Sequence, residues 1–175
     1  MPLWRNRFLL LSSVLLAVGV VVAMGSVENG STINLQSGPD SVFLVSGAGG
    51  SELKPSGTGG WTNESAKVNF SLHGKGLAVE LESPGTAVKS LEIRWKVRPD
   101  ANWKYLGDAW ERAYGDLAWL PLDARRVMPW YFLASDGNAT TGFGVKTGPG
   151  ALCYWTVNAE FIDQGNRGPV SWLGL

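Results

Sequence analysis

The stretch Val68-Asn-Phe-Ser-Leu-His-Gly-Lys-Gly-Leu-Ala-Val-Glu-Leu-Glu82 decides the fold. Val68, Phe70 and Leu72 alternate with Asn69, Ser71 and His73. After a glycine-rich turn, Leu77, Val79 and Leu81 alternate with Ala78, Glu80 and Glu82. A period of two sends successive side chains to opposite faces of a strand, so the segment reads as a hairpin with one apolar face. The same alternation returns downstream, where Leu91, Ile93, Trp95 and Val97 interleave with Glu92, Arg94, Lys96 and Arg98. One-sided burial of this kind suits an antiparallel sheet.

Upstream, Thr32–Gln36 and Ser41–Ser46 read as short strands around the turn Gly38-Pro39-Asp40. Residues 47–60 are rich in Gly and read as a long surface loop. Gly47-Ala-Gly-Gly50 is followed by no Gly-Lys-Ser/Thr and no helix start, so it is no phosphate cradle. Downstream, Val127–Ala134, Gly142–Thr147 and Ala151–Asn158 read as strands. They are separated by turns at Asp136-Gly137-Asn138 and Gly148-Pro149-Gly150. Pro129 marks an edge or a bulge. A last strand is expected in Ala159–Leu175, with a turn at Gly165-Asn-Arg-Gly168. Many short strands without a sustained helix define an all-β class, an antiparallel β-sandwich over residues 26–175.

The N-terminus stands apart. Arg5 and Arg7 precede an apolar run from Phe8 to Ala23, and Ala23-Met24-Gly25 offers small residues for cleavage. Residues 1–25 therefore read as a signal peptide, or as an uncleaved anchor helix. The first alternative implies a secreted, periplasmic or extracellular protein, and the second a membrane partner. Four sequons, at Asn29, Asn63, Asn69 and Asn138, matter only in a host that glycosylates exported chains.

Composition narrows the chemistry. In 175 residues, 45% are hydrophobic and 17% charged, which is enough apolar content for a folded core. Basic and acidic residues balance at 15 each, which argues against a nucleic-acid partner. One Cys permits no internal disulfide, and one Cys with one His makes a metal cluster improbable. No cofactor is expected. A single His and no Gly-x-Ser-x-Gly elbow leave no serine-hydrolase arrangement. His73 sits at a turn and reads as a surface residue, and Cys153 reads as a buried inert thiol. Asp108, Glu111, Asp116 and Asp123 lie near one another in sequence. Ion pairs with Arg112, Arg125 and Arg126 are their simplest fate, because a glycosidase pair needs a set separation across a sugar.

Trp103–Trp119 is aromatic and charged at once. Aromatics reach 11% of the chain with nine Trp, and three of those Trp fall here. Leu106, Trp110, Ala113 and Leu117 have helical spacing. Gly107, Gly115 and Pro121 oppose a helix, so irregular, partly extended chain is expected. Flat rings beside carboxylates and guanidinium groups suit sugars, since the rings cover C–H faces while polar groups bond hydroxyls. The other reading is a corner where aromatics meet structural ion pairs.

At Leu106-Gly-Asp-Ala-Trp-Glu-Arg-Ala-Tyr-Gly-Asp-Leu-Ala-Trp119 the chain resembles the N-terminal domain of bacterial α-galactosidases of glycoside hydrolase family 36. The likeness continues in Arg126-Val-Met-Pro-Trp-Tyr-Phe132, Asp136-Gly137, Thr141-Gly-Phe-Gly-Val-Lys-Thr-Gly148 and Cys153-Tyr-Trp155. It implies a supersandwich that precedes a catalytic (β/α)8 barrel, with the sandwich still unfinished at Leu175. The family's two catalytic Asp sit on the barrel, so no catalytic residue is expected here. The resemblance makes the block around Trp110, Glu111, Arg112 and Asp116 the counterpart of a loop that reaches the active-site mouth. With Trp119 and Trp130 these are the candidate sugar contacts, and Trp103 is a further candidate platform. The expected partner is a galactoside-type carbohydrate or the barrel itself. The alternatives are a free-standing carbohydrate-binding module and a membrane-anchored envelope interaction protein.

Overall fold

The computed structural model describes residues 15–20, 35–73, 76–97, 102–107, 118–121, 126–147, 152–160 and 170–174. In chain order the strands are β1 (Leu15–Val20), β2 (Ser41–Ser46), β3 (Gly49–Glu52), β4 (Lys54–Ser56), β5 (Gly60–Thr62), β6 (Lys67–His73), β7 (Gly76–Glu82) and β8 (Val88–Val97). They continue as β9 (Lys104–Gly107), β10 (Leu120–Pro121), β11 (Val127–Pro129), β12 (Tyr131–Ser135), β13 (Thr140–Gly144), β14 (Lys146–Thr147), β15 (Tyr154–Glu160) and β16 (Val170–Gly174). The helical content among the described residues is one 3-10 turn, Leu35–Ser37. The protein is all-β.

Three antiparallel sheets carry these strands. Two have six strands, ordered β14-β1-β7-β6-β5-β4 and β11-β15-β16-β8-β2-β3, and one has four, ordered β10-β9-β12-β13. The deciding hairpin forms as its alternation requires. Val68 lies opposite Leu81, Phe70 opposite Val79 and Leu72 opposite Leu77. Val68, Leu77, Val79 and Leu81 are buried, while Leu72 runs out past the core and is exposed. On β8, Ile93 and Trp95 face inward. Arg94 and Glu92, on the other face of β8, pair at 2.9 Å, and the Arg94 guanidinium sits 4.3 Å from the Phe43 ring centre. Both pair members are partly solvated, so the pair contributes little to stability.

The three sheets share one core. Phe132 lies at its aromatic centre, 4.7 Å from Phe143 in a stacked pair and 5.4 Å from Trp155 edge-on. Burying each such ring is worth about 1.5–3 kcal/mol before the ring-to-ring term is added. Leu53 carries the chain from β3 in one six-stranded sheet to β4 in the other. It is buried, and its N–H donates to the Val42 carbonyl at 2.9 Å. This sheet-to-sheet crossing is the mark of a sandwich.

Several expectations are corrected. Residues 47–60 are no long loop. They make β3, β4 and β5, because antiparallel ladders use backbone groups that Gly supplies as well as any residue. Val127–Ala134 is two strands, broken at Trp130, with β11 in a six-stranded sheet and β12 in the four-stranded one. Pro129 lies on β11, an edge strand, as a missing N–H requires. The described part of Thr32–Gln36 belongs to the 3-10 turn. Within the N-terminal apolar run the described residues, Leu15–Val20, are extended and paired with β7 and β14, where a helix was expected. Apolar runs carry no periodicity that separates helix from strand, and the free backbone groups of β7 supply the ladder.

Candidate functional site

The site grows from the register of the four-stranded sheet. Lys104 lies opposite Pro121 on one side and Ser135 on the other. Their neighbours Tyr105 and Ala134 are buried in the core. Strand alternation therefore sends Lys104 and Ser135 to the outer face of the sheet. There, with Asn102, Trp119, Asp136 and Gly137, they line a shallow open cleft of about 400 Å³. That is the lower part of the size range of small-molecule sites, roughly 300–1,000 Å³. Trp119 precedes β10 directly and stays 40% exposed, a large apolar ring kept at the surface.

The opposite wall is the turn between β12 and β13. Asp136 Oδ1 accepts the N–H groups of Ala139 at 2.7 Å and Asn138 at 2.8 Å. The Ser135 hydroxyl donates to the Ala139 carbonyl at 2.9 Å, and Gly137 takes a positive φ of 94°. An Asx side chain that mimics a backbone turn is what makes Asp-Gly-Asn turn-forming. The N–H donors of Ala139 and then Asn138 hold the Asp136 carboxyl below its ordinary value. Asp136 is therefore anionic at neutral pH, with its charge at the cleft rim. The Ser135 hydroxyl also accepts the Gly137 N–H at 3.2 Å, so it is a polar group fixed within the turn. Among the described residues no cluster of His, Cys, Asp or Glu could hold a metal ion.

Of the six nominated sugar contacts, Trp110, Glu111, Arg112 and Asp116 lie outside the described residues, as do Asp108, Asp123 and Arg125. Trp119 stands in the cleft. Trp130 does not: it forms the corner between β11 and β12, and the residue is 36% exposed. Its N–H donates to the Cys153 carbonyl at 3.1 Å, and its carbonyl accepts from Val145 N–H at 2.9 Å. Trp103 is half-buried against the core, 6.4 Å from the Tyr105 ring, and serves packing. Arg126 donates to the Tyr105 carbonyl at 2.8 Å. His73 is exposed, and Cys153 is half-buried, with burial pushing its thiol pKa up.

Sequence reasoning placed no function on Asn102, Lys104, Ser135 or Asp136. The available signal was the register itself: two strands with core residues at Tyr105 and Ala134 must send Lys104 and Ser135 outward together.

The fold and the cleft define an all-β protein with a solvent-facing aromatic and polar groove. Comparison with protein families, with curated proteins and with solved structures finds no match to this chain.

Proposed function

We propose that this protein is an exported, sugar-contacting β-sandwich module of glycoside-hydrolase type, non-catalytic by itself. The observation that carries the reading is Trp119, exposed beside the ammonium of Lys104, the carboxylate of Asp136 and the polar groups of Asn102 and Ser135. A ring covers the apolar face of a pyranose while neighbouring donors and acceptors fix its hydroxyls. The ordered blocks that resemble the N-terminal domain of family 36 α-galactosidases support galactosides as the first ligands to try. Titration calorimetry with simple galactosides, raffinose-type sugars and galactomannan fragments tests it. Binding that Trp119→Ala abolishes is the expected result. Absence of heat with every one of these sugars, on folded protein, rejects the proposal for galactosides.

A second reading, docking onto a (β/α)8 barrel, draws on the exposed Val127, Leu152 and Tyr154. Val127 and Tyr154 are diagonal neighbours across the β11–β15 pair. Val127→Ser with Tyr154→Ser would leave sugar binding intact and lower self-association if that face is a docking surface. Unchanged self-association counts against it.

A further inference from the structure

Part of the apolar run at the N-terminus, Leu15–Val20, is an inner strand of a six-stranded sheet. Leu15–Val20 pairs with β7 over six consecutive positions, from Leu15 opposite Glu82 to Val20 opposite Leu77. On its other side Val18 lies opposite Thr147 and Gly19 opposite Lys146 of β14. The segment is thus an inner strand. Its removal would leave backbone donors and acceptors unpaired on both neighbours, an edge that invites another strand. The lane is also chemically selective. Leu77, Val79 and Leu81 of β7 are at most 4% exposed, and Leu16, Val18 and Val20 stand opposite Leu81, Val79 and Leu77. Glu80 and Glu82 are exposed, and they stand opposite Ala17 and Leu15. A proline within this inner strand would remove a ladder hydrogen bond, while a cation opposite Glu80 would be welcome.

We propose that the lane between β7 and β14 is a strand-acceptor site whose occupant is the chain's own Leu15–Val20 segment. The same six residues belong to the run that reads as a targeting signal. The segment cannot be an inner strand and a peptidase or membrane substrate at the same time. Folding of the sandwich and export of the chain therefore compete for it, and a chain stripped of it presents an open lane that binds an added copy of the same segment. This inference involves none of the cleft residues, so it is independent of sugar binding; it bears only on the export part of the proposed function, because a chain whose first 25 residues are removed on export has the lane open.

The test uses the full chain, made by cell-free synthesis so that no peptidase acts on it, with Cys153→Ser as background. Val18→Cys with Val79→Cys places two thiols at register partners. Val18→Cys with Glu80→Cys is the control slipped by one residue, which sends the thiols to opposite faces. Peptide mapping after mild oxidation is expected to find an intrachain disulfide in the first variant and not in the second. No disulfide in the first, equal yields in both, or a disulfide between chains would each overturn the assignment. The last result would make a second copy the occupant. An independent measurement covers a cysteine variant that misfolds. A full chain with Ala17→Pro and Gly19→Pro should bind a fluorescent peptide of the Leu15–Val20 sequence, and a peptide with Lys at the Ala17 position should bind about threefold more tightly. Failure of the proline variant to bind either peptide, or equal affinity for the native and the Lys peptide, counts against the lane and its register.

Discussion

The Tyr105 ring is buried beside Phe132 and Trp103, and its hydroxyl has no hydrogen-bond partner among the described residues. An unpaired buried hydroxyl costs desolvation that nothing returns. Tyr105→Phe is accordingly expected to raise stability by about 1 kcal/mol in urea unfolding, because it removes the polar atom and keeps the ring. Burial also pushes the phenol from its ordinary value of 10.0 to about 12. A pKa raised on folding gives stability that is complete below pH 10 and is lost as pH rises from 10 toward 12, since the unfolded chain ionises first. Tyr105→Phe should flatten that alkaline loss. Asp136 has the opposite sign. Its carboxyl is held low by the Ala139 and Asn138 N–H groups, so its contribution to the turn is present above the ordinary carboxylate range and is lost as pH falls through the lowered value. Amide shifts of Asn138 and Ala139 followed by NMR should move in that acid window. They should stay flat in Asp136→Asn, which keeps the acceptor oxygen without the charge. A titration of equal size in the Asn variant would mean that another group governs the turn.

At the scale of elements, two close contacts set how the sheets meet. A Cβ built on Gly107 would lie 2.5 Å from Met128 Cγ and 2.7 Å from Met128 Cβ. Gly107 is on the four-stranded sheet and Met128 on β11 of a six-stranded one, so the absent side chain is what lets the two sheets touch. Gly107→Ala should cost about 1–3 kcal/mol, and Met128→Ala should recover part of that loss in the double variant. Trp130 is the second contact. It has φ at 60°, an uncommon backbone state for a residue with a bulky side chain, and three hydrogen bonds hold it there, including Trp155 Nε1 on its carbonyl at 3.4 Å. Trp130→Gly and Trp130→Ala both lose the ring, and the Gly variant should be the more stable by about 1 kcal/mol because Gly adopts this φ freely. Equal stability would show that the corner relaxes. These elements also mark what the sequence reveals. Alternation is local, so the β6–β7 hairpin and most of β8 can be read residue by residue. The break at Trp130 is not local: Val127–Ala134 is evenly apolar, and only competition between β15 and β9 for backbone partners divides it. The strand β3 leaves no side-chain signal at all, since its Gly-rich backbone does the pairing. Half of the cleft follows the same rule. Trp119 stands out as a ring among charges, whereas Lys104 and Ser135 become neighbours only through the β9–β12 register.

The whole molecule behaves according to where its buried side chains meet. Val68, Leu77 and Val79 come from the first six-stranded sheet, Ile93, Trp95 and Trp155 from the second, and Tyr105, Phe132 and Phe143 from the four-stranded one. All belong to one contiguous core. No sheet buries its apolar face without the others, so none has a core of its own to survive on once a neighbour leaves. Sheets that pack only through one another unfold together. The expected outcome is a single transition in urea, with tryptophan fluorescence and far-ultraviolet circular dichroism falling on the same curve. Among the described residues, fluorescence reports mainly on burial of Trp61, Trp95 and Trp155, on the two six-stranded sheets, whereas circular dichroism reports on strands in all three sheets, so coincidence of the two is a demanding test. Gly107→Ala should shift both curves by the same amount, because strain between two sheets is felt by the shared core. Two separated transitions, or a variant that moves one curve and leaves the other, would mean that the four-stranded sheet, and the cleft on its outer face, folds apart from the rest.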